Sequence, residues 1–431
     1  MPPIPLEVNP MTTSRRLPKW AQQLLDRHPG AEIPTPERPV PDWLEREIRQ
    51  TPLWALIRGS DGIRQEHPYF LYEDIHRQPE LLEGVLRLRP QLNRIVDRLE
   101  RERIEHVVFT GCGSSFFNSW LGAYIFRRWT GLEAEGVEAL EFVNYGLPLS
   151  RRAALIVQSA TGGSVEVLEA TERARREGLV VIGLTNTPHS PLVELCDEIV
   201  VYPTGQRCGP DISVITTRLL MLYLIALALG RRRGALSDEP AADLERVLEA
   251  IPALARRFLE TQDARLAAVA EALQNQRALL LIGGGPNWFS AREGALKIEE
   301  ESCMLCKAYR PGEYVHDAIA LLGPEMTTIP IAPPGPSYAR LYDCARTARA
   351  ARSPVLAVVA EGDATIARVS DHVIPLPAEL PEILWPILAT ILFQLLGYHL
   401  GVRRGYNPDT LRTDNLDHAR AWLTAFPLGT H

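Results

Sequence analysis

The chain has 431 residues, of which 46% are hydrophobic and 23% are charged. This composition is ordinary for a globular protein, and the length predicts two domains, or three if one is small. The net charge of −7 argues against non-specific nucleic-acid binding, because that requires a basic surface. It does not exclude a small anionic substrate, since an anion pocket needs only a few local donors.

The first residues, Met1-Pro-Pro-Ile-Pro5, lack the basic segment and apolar run of a secretory signal. The apolar stretch Leu219–Leu229 is too short to span a membrane. Ile383–Val402 is long enough, but polar residues and a proline interrupt it, which favours a buried helix. We therefore predict a cytoplasmic protein with no membrane partner.

Six cysteines occur along the chain, and in the cytoplasm they should be reduced. Cys303 and Cys306 have CxxC spacing, but no second CxxC or suitably spaced histidine accompanies them. We interpret them as two buried thiols on a helix, and we expect no metal and no cofactor.

The first 52 residues contain eleven prolines, a density that predicts an extended N-terminal arm reaching to about residue 66. Two domains should follow, over residues 67–235 and 236–402, with residues 231–245 as the linker. Residues 403–431 are predicted to form a C-terminal tail.

Short β-rich runs alternate with helical patterns in the first domain, which predicts βαβ units and a parallel sheet. The runs are His106–Thr110, Ala154–Gln158, Leu179–Leu184 and Glu198–Tyr202. The same order returns after residue 270, and five residues recur 172 positions later: Gly111, Gly113, Phe117, Gly122 and Ala123 become Gly283, Gly285, Phe289, Gly294 and Ala295. A repeat of this length indicates a duplicated domain. The fold class is therefore α/β, with two tandem doubly wound parallel sheets.

Two loops of the first repeat carry glycines and hydroxyls at the ends of predicted strands, namely Gly111–Ser115 and Ser159–Ser164. Both loops open a helix at the carboxyl edge of the sheet, where ligands bind. Glycines let the backbone approach an anion, and helix N-termini present free N–H groups to it. Five hydroxyls then suit a phosphate monoester, although serine and threonine at these positions also cap helices: Ser114, Ser115, Ser159, Thr161 and Ser164.

The second repeat lacks these hydroxyls and carries charged residues instead. A predicted helix over Arg292–Cys306 holds Glu293, Lys297 and Glu300, and Lys297 and Glu300 share a face. After a chain reversal at residues 310–312 come Glu313 and His316. A carboxylate, an ammonium and an imidazole suit proton transfer between adjacent carbons, although such residues are more often a solvated pair and a structural histidine.

Residues 67–420 resemble the tandem SIS-domain (sugar isomerase) family. That family includes the isomerase half of glucosamine-6-phosphate synthase, aldose–ketose isomerases, amino-sugar deaminases and fructosamine-phosphate deglycases. The motifs that carry the resemblance are Tyr72–Pro79, Gly111–Ser115, Ser159–Ser164, Glu293–Glu300 and Gly312–His316.

The resemblance implies that the five hydroxyls listed above bind the 6-phosphate of a sugar. Glu300 would shuttle a proton between C1 and C2, His316 would open the sugar ring, and Lys297 would hold developing negative charge. In relatives this histidine comes from the neighbouring subunit, so the resemblance also implies a homodimer with a shared active site.

Two departures from the family pattern bear on the reaction. No glutamine amidotransferase domain precedes the repeats, so we do not expect the chain to draw ammonia from glutamine by itself. The family's tail lysine, which forms a Schiff base with a ketose, is replaced by His418, and no lysine follows Lys307. Since a Schiff base requires an amine, amination through a covalent route is not expected.

Three functional hypotheses remain from the sequence. The leading one is an enzyme that acts on an amino- or amine-conjugated hexose 6-phosphate by deamination, deglycation or aldose–ketose isomerisation. The second is an aminotransferase-type reaction with free or partner-delivered ammonia. The third is a non-catalytic sugar-phosphate sensor that retains only the first pocket.

Overall fold

The structure is a computed structural model, and it describes residues 19–35, 38–58, 64–146, 149–150, 152–205 and 207–426. Their α-helices, in chain order, are α1 (Lys19–Asp26), α2 (Asp42–Gln50), α3 (Leu53–Arg58), α4 (Phe70–His76), α5 (Gln78–Leu86), α6 (Arg89–Arg101), α7 (Ser114–Trp129), α8 (Ala139–Tyr145), α9 (Val165–Arg176), α10 (Pro191–Leu195), α11 (Ser213–Arg232), α12 (Asp238–Leu273), α13 (Asn287–Ser302), α14 (Pro311–Asp317), α15 (Tyr338–Ala350), α16 (Trp385–Arg403) and α17 (Leu416–Ala425).

The strands form two five-stranded sheets with the orders β2-β1-β3-β4-β5 and β10-β9-β8-β6-β7. Every pairing is parallel, and the second order repeats the first when it is read from its other end. The predicted fold class of two tandem doubly wound parallel sheets is confirmed. The strands are β1 (His106–Gly111), β2 (Glu133–Glu138), β3 (Ala153–Ser159), β4 (Val180–Thr185), β5 (Glu198–Val201), β6 (Ala278–Gly283), β7 (Leu305–Tyr309), β8 (Met326–Ala332), β9 (Leu356–Ala360) and β10 (His372–Leu376).

The edge strands β2 and β7 depart from the sequence prediction. The sequence of β2 is Glu-Ala-Glu-Gly-Val-Glu, which is too charged to be recognised as a strand.

The prediction of two thiols on one helix is wrong, because α13 ends at Ser302, Cys303 adopts a left-handed φ of 52°, and Cys306 lies in β7. Exposed and buried side chains alternate at the start of β7, as an edge strand requires.

Helices α11 and α16 form the centre of the shared core and also meet the length and hydropathy criteria for membrane spans. Both are mostly enclosed by the protein: 94% of the apolar window of α11 and 89% of that of α16 are buried. Such burial is typical of core helices in a globular domain. The repeated Gly294 allows α13 to pack closely on α16, since a Cβ added there would lie 2.5 Å from the ring of Phe393.

The segment between the two repeats is shorter than predicted. Helix α11 continues to Arg232, and α12 begins at Asp238 and runs to Leu273, so the predicted linker over residues 231–245 is wrong. Most of that stretch is helical, and Pro240 lies in the first turn of α12, where the missing N–H costs nothing. Only residues 233–237 join the two helices.

The described residues within 1–62 and 413–431 form one compact unit, and those within 63–412 form the other. In the first unit, α1 to α3 and α17 contribute to a small hydrophobic cluster that includes Leu24, Trp43, Leu44 and Leu423. The arm was predicted to be extended, and this prediction is wrong for the segments that form α1, α2 and α3. Prolines precede two of them, Pro41 before α2 and Pro52 before α3, instead of interrupting them. Residues 1–18 lie outside the described part of the chain.

Asp409 joins the end of the second unit to its beginning. Its carboxylate accepts hydrogen bonds from the backbone N–H groups of Phe70 (3.1 Å) and Leu71 (2.8 Å), in the first turn of α4. Burial raises the pKa of Asp409 from 3.8 to about 6, although the two N–H donors oppose the rise. The folded protein therefore holds a proton at Asp409 over a pH range in which the unfolded chain has released it.

Because this pKa is raised on folding, the stabilising contribution is present below pH 4 and is lost as the pH rises through about 6. We expect the unfolding free energy of the wild type, relative to Asp409→Asn, to fall by about 2–3 kcal/mol across this range. Urea denaturation at a series of pH values measures the difference. Asp243→Asn, at an exposed carboxylate, is the control. A pH-independent difference between wild type and Asp409→Asn contradicts the prediction.

Candidate functional site

Two loops of the first repeat meet at the carboxyl edge of its sheet. Strands β1 and β3 are neighbours, so the loop from Gly111 to the start of α7 lies beside the loop from Ser159 to the start of α9. Gly113 has a φ of 53°, a conformation that glycine adopts readily. Both loops lead directly into helix N-termini, which favour bound anions.

The hydroxyls of the second loop shape its backbone and leave their own protons available. Ser159 Oγ accepts from the N–H of Gly162 at 2.9 Å, and Thr161 Oγ1 accepts from the N–H of Gly163 at 3.2 Å. Ser164 precedes α9, yet its side chain makes no capping hydrogen bond. Helix capping therefore does not account for Ser164, and the loop retains donors for a ligand.

Arg218 lies beneath the first loop and is only 2% exposed. It donates from Nη1 to Ser115 Oγ at 2.9 Å and from Nε to the carbonyl of Val214 at 3.1 Å. Burial lowers its pKa to about 10, so the guanidinium is charged at neutral pH. Among the described residues it has no ion-pair partner within 4 Å. Burial of the cation is costly, and the more distant charges of Asp211 and Glu293 favour its charged form. An anion bound at the loop would offset this cost further.

The charged residues of α13 are buried and paired with one another. Lys297 Nζ lies 2.5 Å from Glu300 Oε2 and 3.7 Å from Glu293 Oε1. Glu293 is fully buried and Lys297 is 4% exposed, whereas the Glu300 side chain is 30% exposed. The interpretation of these residues as a solvated surface pair is therefore excluded, and Glu300 is the member that solvent or a ligand can reach.

Burial alone would lower the pKa of Lys297, but the carboxylates of Glu300 and Glu293 raise it above its usual value. Burial also raises the pKa of Glu293, against the opposing charge of Lys297. Because both carboxylates stabilise the ammonium, Lys297 is a fixed positive charge at neutral pH and not a free amine.

One hydrogen bond connects the charged helix of the second repeat to the hydroxyl loop of the first. Ser114 Oγ donates to Glu293 Oε1 at 3.0 Å, and the same carboxylate oxygen faces Lys297. Four side chains thus form a continuous path from the first loop, through Glu293 and Lys297, to Glu300. The structure thus connects one of the five predicted hydroxyls, that of Ser114, to the acid–base pair that the sequence predicted separately.

His316 lies apart from this path. It is exposed in the last turn of α14, and among the described residues it makes no hydrogen bond or ion pair. The chain reversal predicted before it is the start of α14, where Glu313 pairs with Arg310 at 2.9 Å. His418 is in α17, which belongs to the other compact unit.

Residues 102–228 and 272–402 match the model of the SIS domain. The chain belongs to the SIS domain family. The glutamine–fructose-6-phosphate aminotransferase (isomerizing) of Gloeobacter violaceus is 30% identical to it over 393 residues, which are 89% of this chain and 64% of that protein. The chain therefore spans less than two thirds of that relative's length. The family resemblance predicted from the sequence motifs is confirmed.

Solved structures of SIS proteins share the fold. The C-terminal domain of glucosamine-fructose-6-phosphate aminotransferase from Francisella tularensis aligns with a TM-score of 0.73 at 21% identity, over 80% of this chain and 98% of that one. Glucosamine-6-phosphate deaminase from Thermotoga maritima aligns with a TM-score of 0.62 at 23% identity, over 79% of this chain and 96% of that one.

Two buried charged residues at this site were not predicted. Arg218 is the one charged residue in the first 18 positions of α11, and that isolation was the available signal. Glu301 follows Glu300 and is 1% exposed, and neither of its carboxylate oxygens has a hydrogen-bond partner among the described residues. Burial raises its pKa well above the usual value, against the opposing charge of Lys297. Gly397 leaves room for it, since a Cβ there would lie 2.5 Å from Glu301 Oε2.

Removal of the buried guanidinium tests its link to the first loop. We expect Arg218→Met to weaken binding of inorganic phosphate by about tenfold or more, the effect of losing a charged partner. Titration calorimetry measures the affinity, and Arg246→Met, at an exposed arginine, is the control. Unchanged phosphate affinity in a folded Arg218→Met protein contradicts the assignment.

Proposed function

We propose that this SIS protein is an enzyme that transfers a proton between C1 and C2 of an amino- or amine-conjugated hexose 6-phosphate. The outcome is deamination, deglycation or aldose–ketose isomerisation. The observation that carries the proposal is the path from Ser114 through Glu293 and Lys297 to Glu300. It joins an anion-binding loop to a reachable carboxylate that is paired with a buried cation. The family membership supports the coarser statement, a sugar-phosphate isomerase type of function.

In this proposal the substrate phosphate binds between the loops of the first SIS domain. The hydroxyls of Ser115, Ser159, Thr161 and Ser164 and the N-termini of α7 and α9 donate to it, and Arg218 supplies positive charge beneath Ser115. Ser114 contributes its backbone N–H at the start of α7, while its hydroxyl donates to Glu293. The sugar carbons then extend toward α13.

Glu300 acts as the general base and then as the general acid. It removes the proton from one carbon next to the carbonyl or imine and returns it to the other. The enediolate or enamine formed between the two steps gathers negative charge. Lys297 stabilises that charge without giving up its own proton, because its pKa is held high by two carboxylates.

Ring opening is assigned to His316, and the same proposal makes the enzyme a cytoplasmic homodimer. The isolated, exposed position of His316 in α14 is consistent with a role in the partner's active site. Ile319 and Leu321 lie shortly after it and are 49% and 48% exposed. Exposed apolar side chains of this kind are typical of surfaces that become covered on association.

Covalent amination is not part of the proposal. The family's Schiff-base lysine is missing, and Lys297 is buried between Glu293 and Glu300. Such an ion-paired ammonium is a poor nucleophile. An aminotransferase-type reaction would need ammonia to react without a lysine adduct.

The proton transfer is tested with Glu300→Gln. We expect the wild type in heavy water to exchange deuterium at C1 and C2 of glucosamine 6-phosphate or fructose 6-phosphate. Exchange should fall by about 100-fold or more in Glu300→Gln, the usual contribution of a general base, while binding is retained. NMR follows the exchange. Glu299→Gln is the matched control, because Glu299 bonds to the backbone of Cys306 instead.

Each outcome selects among the hypotheses. Exchange that persists in Glu300→Gln eliminates the mechanism. Binding of both sugars without any exchange in the wild type favours the sensor. Glucosamine 6-phosphate formed from fructose 6-phosphate plus ammonium favours the aminotransferase reaction.

The shared site is tested by subunit complementation. Glu300→Gln and His316→Ala should each be inactive as homodimers. Mixed after dissociation, they should recover about a quarter of wild-type activity, because half of the dimers are mixed and each has one native site. Activity assays of the mixture measure this recovery. No recovery from proteins shown to exchange subunits contradicts the proposal that His316 acts across the dimer.

A further inference from the structure

The duplication places a second pair of loops at the carboxyl edge of the second sheet. The loop after β6 runs from Gly283 to Asn287, and the loop after β8 runs from Ala332 to Ser337. Gly285 repeats both the position and the φ of 53° of Gly113, so the backbone of the first loop is preserved. The two loops touch, since a Cβ added at Gly284 would lie 2.1 Å from Ser337 Oγ.

These loops have lost most of the hydrogen-bond donors that the equivalent loops of the first SIS domain carry. At offsets of 172 and 173 residues, Ser114, Ser159 and Thr161 are replaced by residues with no hydroxyl. Four prolines also remove backbone N–H donors from the loops. Little is left to hold a phosphate. The replacements are Pro286, Ala332 and Pro334, and the prolines that fall on glycine or alanine positions are Pro333 and Pro336.

The carboxylate of Glu382 lies against the two loops of the second domain, where the first domain has hydroxyl donors. A Cβ at Gly335 would lie 2.6 Å from Glu382 Oε2, and one at Gly285 would lie 3.8 Å from Glu382 Oε1. The Glu382 carboxylate therefore faces both loops. It is half-buried, and in the described part of the chain it accepts no hydrogen bond. Tyr223 anchors the segment, since its hydroxyl donates to the Ile383 carbonyl at 2.5 Å.

Helix α7 of the first domain supplies the opposite side. The hydroxyl of Tyr124 would lie 3.5 Å from a Cβ at Gly285, and the exposed Arg128 guanidinium stands 5.2 Å from the centre of the Tyr124 ring. Arg128 is also the repeat counterpart of Glu300, 172 positions earlier. Each loop pair is thus faced by the helix that follows the first strand of the other domain, α13 for the first pair and α7 for the second.

A buried donor without a partner lies at the base of the same loops. Asn287 takes the place of Ser115, is fully buried, and leaves its Nδ2 amide without a hydrogen bond among the described residues. The Glu382 carboxylate accepts no hydrogen bond from a described protein group, and the Asn287 amide is a buried unsatisfied donor. Together they suit a ligand that is both donor and acceptor.

We propose that the second loop pair binds a small α-amino acid, with its ammonium group on Glu382 and its carboxylate toward Arg128 and the Asn287 amide. The ammonium group donates to the carboxylate that stands against Gly285 and Gly335. The loops are poorly suited to phosphate, because prolines remove several N–H donors and Ser337 alone keeps a hydroxyl of the equivalent set. This site is separate from the phosphate loops and does not depend on the function proposed for them.

Glycine and L-alanine are the probes, measured by titration calorimetry on the full chain. Both should bind the wild type, whereas acetate, which lacks the amine, and glycine betaine, whose nitrogen has no N–H, should not. Affinity should fall by about tenfold or more in Glu382→Gln and in Arg128→Met, the loss expected for one charged partner. Arg128 is exposed, so that variant tests the site even where Glu382→Gln lowers stability. Glu325→Gln, at an exposed carboxylate, is the control.

Binding of inorganic phosphate should be unchanged in Glu382→Gln and in Arg128→Met, so failure at one loop pair is distinguishable from failure at the other. The proposal is overturned if neither amino acid binds, if betaine binds as well as glycine, or if glycine affinity survives both substitutions.

Discussion

The buried ammonium of Lys297 is the constraint on which the site depends. A lysine enclosed in the protein must keep carboxylates near it, because desolvation of its charge would otherwise be too costly. Glu300 lies on one side and Glu293 on the other, and Glu293 also receives the hydroxyl of Ser114. One desolvated charge therefore orients both a base on α13 and the first turn of α7. The electrostatics of the second domain and the phosphate loop of the first are consequently one network.

The sequence predicted the repeated α/β architecture because periodicity, glycine spacing and strand-ending loops are local signals. It also predicted the residues of the two loops and of α13, since these stand in recognisable motifs. The charged strand β2 and the position of Cys306 in β7 were missed, because an edge strand has little hydrophobic pattern of its own. The helices of the N-terminal arm were missed because proline density was read without regard to helix starts such as Asp42, which follows Pro41.

The burial of charged residues was beyond local prediction. Nothing in the spacing of Glu300 and Glu301 reveals that one is reachable and the other enclosed against Gly397. That difference depends on how α16 packs across α13, which is a tertiary property. Arg218 is a similar case, since its partner Ser115 is 103 residues away. His316 makes no hydrogen bond or ion pair to α13 among the described residues, and its separation from that helix is likewise a property of the folded chain.

The crossed arrangement of α7 and α13 has a consequence for how such a protein can arise. Each repeat presents its loops to a helix that belongs to the other, so neither repeat alone encloses a complete pocket. A single-repeat ancestor would have needed a two-fold partner, with each copy lending its helix to its twin. Joining the copies through residues 233–237 keeps the same exchange of helices between the two repeats within one polypeptide. The two halves can then diverge in sequence. Their loop pairs have done so, since the first carries hydroxyl donors and the second faces a carboxylate.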